Sequence, residues 1–354
     1  MKTDYKKRIL VTGGLGFIGS HIVRRLVNEH KDWRIFNLDC QTYAGNPDNV
    51  KDLEDKENYM LLDNDIRDAA TLGFLFDRFR FTDVIHLAAE SHVDNSITGP
   101  RPFIETNIIG TFNLLEEARK HWGNEPGHKF YYFSTDEVFG FLDKDGESFT
   151  EETKLDPSSP YSASKACGDL LVKAYWKTFK LPVVLSHMCN AIGPNQYPEK
   201  LVPATIQRVI EEEPIIVYDK GEQVREWIYT DDVVDAAMTV FEKGVPGEAY
   251  NIGSGNECRN IDLVEMIIVN VCRKMYPDNE RCLEAISSTV NRIKFIENAR
   301  PGHDFRYSIN HSKITNDLGW ERKYALGYSV QKTVDWYFNN WDWVEKLKER
   351  LKNK

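Results

Sequence analysis

Two short stretches carry side chains that could move protons. In Tyr161-Ser162-Ala163-Ser164-Lys165 a phenol and an ammonium stand four residues apart. On a helix that spacing puts both on one face. A phenol is a poor base at neutral pH. A neighbouring cation favours the phenolate, so Lys165 is expected to lower the Tyr161 pKa. In Ser134-Thr135-Asp136-Glu137 a hydroxyl precedes two adjacent acids. The Thr135 hydroxyl suits a substrate oxygen beside Tyr161. A reductase or an epimerase needs only that hydroxyl and the tyrosine. An added acid and base imply a further proton transfer, such as loss of water. Taken alone, an Asp-Glu pair also reads as a solvated strand end or a helix cap.

These residues need elements to hold them. Phe130 to Ser134 reads as a strand, which puts the acids at its carboxyl end, where open parallel sheets bind ligands. Ser162 to Phe179 reads as a helix. Further strands are expected over Arg8 to Thr12, Arg34 to Asp39, Tyr59 to Leu62, Val84 to Ala88 and Val183 to His187, and a helix over Thr106 to Lys120. Strands alternating with helices predict an α/β fold with a doubly wound, Rossmann-type parallel sheet. After about residue 190 the pattern loosens, with prolines at 194, 198 and 203. A smaller C-terminal substrate-binding domain is expected there. The layout is 1–188 with 226–254 returning to it, then 189–225 with 255–354, and the cleft between them is the site. The tail, rich in Trp, Lys and Glu, reads as one terminal amphipathic helix.

Gly13-Gly14-Leu15-Gly16-Phe17-Ile18-Gly19 lies between the first strand and the first helix. Such glycines permit a tight turn and let a pyrophosphate approach the N–H groups of a helix N-terminus. Asp39 ends the next strand, 20 residues beyond Gly19. A carboxylate there accepts from a ribose diol and repels a 2′-phosphate, which favours NAD over NADP.

Composition limits the partners. The 354 residues hold 45 Lys and Arg against 55 Asp and Glu, a formal charge of −10. That argues against nucleic acid or an anionic membrane, though not against a small anion in a local cationic pocket. The six cysteines are scattered without a CxxC, as expected of reduced cytoplasmic thiols. No apolar run reaches the ~18 residues of a membrane span. Lys6-Lys7-Arg8 before ILVTGGLGFIG superficially resembles a signal peptide, but the glycines make it a strand, a turn and a helix start.

The GxxGxxG spacing is the form used by extended short-chain dehydrogenases/reductases. TGGLGFIGS, TYAGN, HLAAESHVD, STDEVFG, SPYSASKA, GPNQYPEKLVP, GEQVREWIY and RPGHDFRY, running from residue 12 to 307, together resemble the nucleotide-sugar 4,6-dehydratases. The resemblance implies a redox-neutral dehydration of a nucleoside diphosphate hexose on tightly held NAD. The implied substrate is dTDP-glucose, then UDP-glucose; a 4-epimerase is a further alternative, against which Asp136 and Glu137 argue. An NAD-binding scaffold or sensor without catalysis is the reading from another class, against which Tyr161 and Lys165 argue. By the same matching, Tyr161 takes the O4 proton, Glu137 removes the C5 proton and Asp136 protonates the departing C6 hydroxyl. The product is a 4-keto-6-deoxy sugar nucleotide, from which rhamnose and other deoxysugars can be made.

The resemblance also places contacts. Gly13, Gly16, Phe17, Ile18, Gly19, Asp39, Cys40, Gln41 and Thr42 would hold the dinucleotide. Asp65 and Ile66 would meet adenine, and Leu87, Ala88 and Ala89 would line the nicotinamide side. Ser91, Thr106, Lys165 and Ala191 complete the cofactor set. Ser91 and Thr135 would meet the sugar. Asn190, Glu199, Lys200, Leu201, Arg225, Asn260, Arg300 and His303 would surround the diphosphate, and Ile216 and Tyr218 the base. No metal is expected. Helices starting near Thr106 and Ser162 resemble those of a four-helix homodimer interface. Asn95, Ala191, Ile216, Asp219 and Glu226 depart from the family's usual residues. Of these, Ile216 lies with Tyr218 at the base region, which leaves thymine or uracil open, since the methyl between them is worth only ~1 kcal/mol of burial.

Overall fold

Ile9, Leu10 and Val11, in the middle of strand β1 (Lys7–Thr12), are wholly buried. A strand covered on both faces belongs in a parallel sheet layered between helices. The computed structural model describes residues 5–123, 125–297 and 304–352. Its further strands are β2 (Trp33–Asp39), β3 (Tyr59–Asp63), β4 (Asp83–His86), β5 (Lys129–Thr135), β6 (Val183–Met188), β7 (Asn190–Ile192), β8 (Ile215–Tyr218), β9 (Val224–Tyr229), β10 (Ala249–Ile252), β11 (Glu257–Arg259) and β12 (Ile293–Ile296). Seven form one sheet in the order β10-β6-β5-β4-β1-β2-β3. All its pairings are parallel. The chain winds outward from β1 to β3 and then crosses back to β4. The expected doubly wound sheet is present, and its reversal point lies between β1 and β4.

Local sequence explains the helices that face the site. Phe17–Glu29 starts at the glycine turn and buries the stripe Ile22, Val23, Leu26 and Val27. Pro160–Phe179 has Ser159 as its cap, a reciprocal Ser159–Ser162 capping box and Pro160 at its first position. The helix expected from Thr106 is longer. It begins at Arg101 and runs to Trp122, and its Ile104–Gly110 stretch is wound as a π-helix. Asn107 anchors that wide turn. Its Oδ1 accepts from the Glu90 N–H at 2.8 Å, and its Nδ2 donates to the Glu90 carbonyl and the Ser164 hydroxyl. Strand β4 stops at His86, short of the expected Ala88. The Leu87 and Ala88 amides turn instead to the Thr12 carbonyl and hydroxyl.

The second layer is built from β9 flanked by β7 and β11, and from β8 paired with β12. Helices Leu201–Ile210, Asn260–Met275 and Leu326–Asn339 share its core through Ile206, Ile267 and Val334. Residues 304–320 cross back: Tyr307, Ile309, Ile314 and Trp320 pack in the same cluster as Ile9 and Val11. The tail is two helices, Leu326–Asn339 and Trp341–Lys352, and not the single one expected. Asn340 breaks it, because its side chain bonds back to the Trp336 carbonyl and competes with the helical ladder. The last helix docks under the glycine turn, with Trp343 Nε1 donating to Asn49 Oδ1 and Arg350 to Asn46 Oδ1, both at 2.9 Å. Among the described residues no helix is long and apolar enough to cross a membrane.

Candidate active site

The glycine turn leaves a cradle that only backbone can form. Gly13 sits at φ +74°, and a Cβ there would lie 2.6 Å from the Ala88 nitrogen. A Cβ on Gly19 would collide with the Gly13 carbonyl. The first turn of Phe17–Glu29 therefore lies open to an anion, at the positive end of the helix. At the end of β2 the Asp39 carboxylate is fixed by two amides, Leu15 N–H at 3.0 Å and Gln41 N–H at 2.9 Å. Burial still holds its carboxyl above the usual value. Each oxygen keeps acceptor capacity for a diol. This cradle, with a carboxylate beside it, fits an NAD dinucleotide.

A cavity of about 360 Å³ runs from the cradle across the carboxyl ends of the strands. One end is lined by Gly13, Gly16, Phe17, Ile18 and Gly19, with Asp39, Cys40, Thr42, Asp65 and Ile66. Its middle is lined by Leu87, Ala88, Ala89, Ser91 and Thr106. Thr135, Asp136, Glu137, Tyr161 and Lys165 face the other end, with Asn190 and Ala191, while Glu199 accepts from the Tyr43 hydroxyl and Lys200 donates to the Ser91 carbonyl, each at 3.2 Å. The fold thus brings together residues from six loops. Gln41, Leu201, Ile216, Tyr218, Arg225 and Asn260 do not line it. Gln41 takes a left-handed turn and serves Asp39 through its amide. Arg225 is buried, donates to the carbonyls of Val224, Asp304 and Phe305, and lies 4.3 Å over the Tyr307 ring. Arg300 and His303 lie outside the described residues.

Sequence reasoning passed over several lining residues, among them Arg67, Glu90, Cys189, Gln196 and Tyr197. Arg67 had a signal, since it stands two residues beyond Asp65 and donates to Asp65 Oδ2 through Nε and Nη2 at 2.9 and 2.6 Å. Gln196 is buried, and its Nε2 donates to the Ala191 carbonyl at 2.9 Å. Cys189 carries no signal beyond its place just after β6.

The reacting end is a cluster of displaced ionisations. Thr135 caps the short turn Asp136–Phe139 by accepting from the Glu137 N–H at 3.3 Å, so the capping side chain here is the threonine and not the acidic pair. Its hydroxyl also donates to Asp136 Oδ1 at 3.3 Å. Asp136 is 2% exposed, and its Oδ2 has no hydrogen-bond partner. Burial, then the Glu137 and Glu226 charges, hold its carboxyl well above the usual value. Asp136 is therefore held towards its protonated form, the form that can donate.

Tyr161 reverses the expectation. Its phenol is pushed up, first by burial and then by the Glu137 charge, while a hydrogen bond with Thr135 pulls the other way. Lys165 does not lower it, because the Lys165 Nζ is committed elsewhere. It donates to the Phe133 carbonyl at 2.6 Å and lies 4.2 Å over the Tyr132 ring. Burial pulls Lys165 itself down to about 8, against an opposing pull from Asp169.

Comparison with known proteins bears on what this cluster does. A family model described as GDP-mannose 4,6 dehydratase matches residues 10–333. The chain is 43% identical over 353 residues to a dTDP-glucose 4,6-dehydratase of Escherichia coli, covering 96% of each chain. The chain belongs to the nucleotide-sugar 4,6-dehydratase family. Among solved structures it is similar to a dTDP-glucose 4,6-dehydratase from Bacillus anthracis in complex with NAD, at TM-score 0.84 and 39% identity, covering 96% of this chain and 99% of that one. It is likewise similar to one from Streptomyces venezuelae with NAD and TYD bound, at TM-score 0.85 and 36% identity with the same coverage. In the dehydratase described here, the family resemblance read from STDEVFG and SPYSASKA therefore extends over the whole fold.

Proposed function

We infer that this dehydratase is an NAD-dependent carbon–oxygen lyase that converts dTDP-glucose to dTDP-4-keto-6-deoxyglucose and water. The observation that carries the dehydration is Asp136: a buried carboxyl held towards its protonated form and adjoining a second acid, in the cavity that holds Tyr161. Bound NAD supplies a hydride acceptor and returns the hydride within the same turnover. Tyr161 takes the O4 proton; burial and the Glu137 charge oppose the phenolate that this requires, and the Thr135 hydrogen bond favours it. The resulting 4-keto group acidifies C5–H. Glu137 removes that proton, Asp136 gives its proton to the departing C6 hydroxyl, and C5 is reprotonated.

The cofactor roles fall to the cradle, Asp39, Asp65 and the Leu87–Ala89 loop. Ser91, Asn190, Glu199 and Lys200 lie where a sugar diphosphate would leave the reacting end. On the family resemblance we assign Arg300 and His303 to the same substrate, with Leu201, Asn260, Ile216 and Tyr218; Arg225 could join them only if its guanidinium left the carbonyls that hold it. The two-part domain division, 1–188 with 226–254 and 189–225 with 255–354, is supported by β10 lying in the main sheet. A homodimer is supported by apolar side chains left exposed on two adjacent helices: Ile104, Ile109 and Phe112 on one, Leu170 and Phe179 on the other. Six free thiols support a reducing, cytoplasmic setting.

The test is incubation of the purified protein with dTDP-glucose and, separately, UDP-glucose, without added reductant, followed by mass spectrometry. Loss of one water without net NADH establishes the lyase, and the relative rates name the base. Unchanged mass with both substrates overturns the reading.

A further inference from the structure

Behind the cavity runs a buried hydrogen-bond chain that the proposed steps do not use. Thr12 ends β1, one residue before Gly13, and His86 ends β4, one residue before the Leu87–Ala89 loop. The Ala88 N–H donates to Thr12 Oγ1 at 3.2 Å, and that hydroxyl meets His86 Nδ1 at 2.7 Å. Across the ring, His86 Nε2 meets Thr111 Oγ1 at 2.9 Å. Thr111 donates to the Asn107 carbonyl at 2.7 Å. The Asn107 side chain carries the chain onward in two branches. One closes on both backbone groups of Glu90; the other donates from Nδ2 to Ser164 Oγ at 2.8 Å. Ser164 in turn donates to the Tyr161 carbonyl at 2.7 Å. Thr12, His86, Asn107, Thr111 and Ser164 are each at most 1% exposed.

The chain has one direction. The Thr111 hydroxyl has a single proton, committed to the Asn107 carbonyl. It can therefore only accept from His86, and Nε2 must carry the ring proton. Burial, then the Lys165 charge, hold the imidazole well below its usual value, so the ring stays neutral and Nδ1 is bare. Nδ1 thus accepts from the Thr12 hydroxyl, whose lone pairs are left for the Ala88 N–H. Each proton has one acceptor. Away from its nitrogens the ring packs against Phe130 and Tyr132, at 6.2 and 5.5 Å between centroids. A ring of the same size without nitrogens would fill that space equally well. What it would not do is fix the distance between two hydroxyls that belong to different elements.

We propose that His86 is a positioning residue for the reaction: its ring ties the Leu87–Ala89 loop, on the nicotinamide side of the cavity, to the helix that carries Tyr161, so that the two keep one relative placement. The ring touches no ligand and lies on the protein side of the site. The proposal rests on the dehydratase reading for what the loop and Tyr161 do, but not for how the chain is bonded.

The test uses the holoenzyme and two substitutions that keep side-chain shape and remove one hydroxyl each. Thr12→Val breaks the chain on the loop side of the ring, and Thr111→Val on the helix side. The first readout is hydrogen exchange of the peptide spanning residues 87–92. The second is kcat and KM with dTDP-glucose. Each single variant should speed the exchange by about fivefold and lower kcat by about tenfold, with KM within about twofold. The double variant should lose little more than either single one, because a chain already broken loses little at a second break. Two independent contacts would instead multiply to about a hundredfold. Multiplying losses, or an unchanged kcat in variants that melt like the parent, overturn the proposal. So does a rise in KM without a fall in kcat. Where a valine variant does not fold, His86→Asn, whose shorter side chain reaches Thr12 but not Thr111, decides by the exchange and the split of kcat from KM. Non-additive exchange in a protein that releases no water would uphold the chain and overturn the lyase reading instead.

Discussion

The two ends of the cavity are made differently. At the dinucleotide end the charged groups are already answered by the protein: Asp39 by two amides, Asp65 by Arg67. Nothing there must change state for a ligand to bind. At the reacting end the order is inverted. Asp136 keeps a buried oxygen without a partner, Tyr161 and Asp136 are both pushed up, and Lys165 is pulled down. Asp39 shares the upward push of burial but has two amide partners, whereas the displaced Asp136 keeps an oxygen without one and is left to trade a proton with a ligand. The contrast arises from packing: β2 ends at an open loop, whereas β5 ends under the helix that carries Tyr161.

The contrast can be broken at the reacting end first. Tyr161→Phe should lower turnover by about 10³-fold or more while leaving NAD bound, measured by product formation and by cofactor content after purification. Equal loss of NAD would mean the two ends are not separable. Next, Asp136→Asn with Glu137→Gln should slow water loss by at least about 10²-fold and still permit oxidation at C4. Accumulated NADH absorbance with a sugar nucleotide lighter by two hydrogens but not by a water is the expected sign; continued dehydration would remove the acid–base assignment. The pH profile sharpens the point. Lys165 is an ammonium below about 8 and loses its proton above it, so kcat/KM should decline as the pH rises through that value. Burial holds the Asp136 carboxyl up, so as the pH rises it loses its proton later than an ordinary carboxyl does. A profile flat beyond pH 9 would contradict the Lys165 role. The smallest effect belongs to the dinucleotide end. Gly13→Ala forces a side chain at φ +74° against the Ala88 backbone, at a cost of about 1–3 kcal/mol. A lower melting temperature and cofactor loss should result, with the rate per bound NAD unchanged.

How far the sequence disclosed this depends on range. The glycine turn, Asp39 and the Tyr161–Lys165 spacing are local patterns, and each fell where a strand end or helix start could use it. The parallel, doubly wound character of the sheet followed from alternation, but its strand order did not. What stayed hidden is non-local. The state of Asp136 depends on Glu226, which arrives from β9, and on burial that no neighbouring residue announces. The expected lowering of Tyr161 failed because the carbonyl that captures Lys165 belongs to β5. Arg225 has the chemistry of a phosphate ligand, yet its guanidinium is bound by carbonyls of a distant segment. The tail's division at Asn340 depends on one side-chain bond that a hydrophobic pattern does not register.

The docking of the helix Trp341–Lys352 beneath the glycine turn has a consequence for synthesis. Asn49 waits 294 residues for Trp343, and Gly45 waits 305 for Arg350. The strands and helix that form the nucleotide cradle leave the ribosome early, but the support beneath its loop leaves near the end. Firm capture of the cofactor is thus deferred until translation has passed the final helix, and a nascent chain stalled before Trp341 would carry the catalytic residues without a completed floor for the molecule they serve.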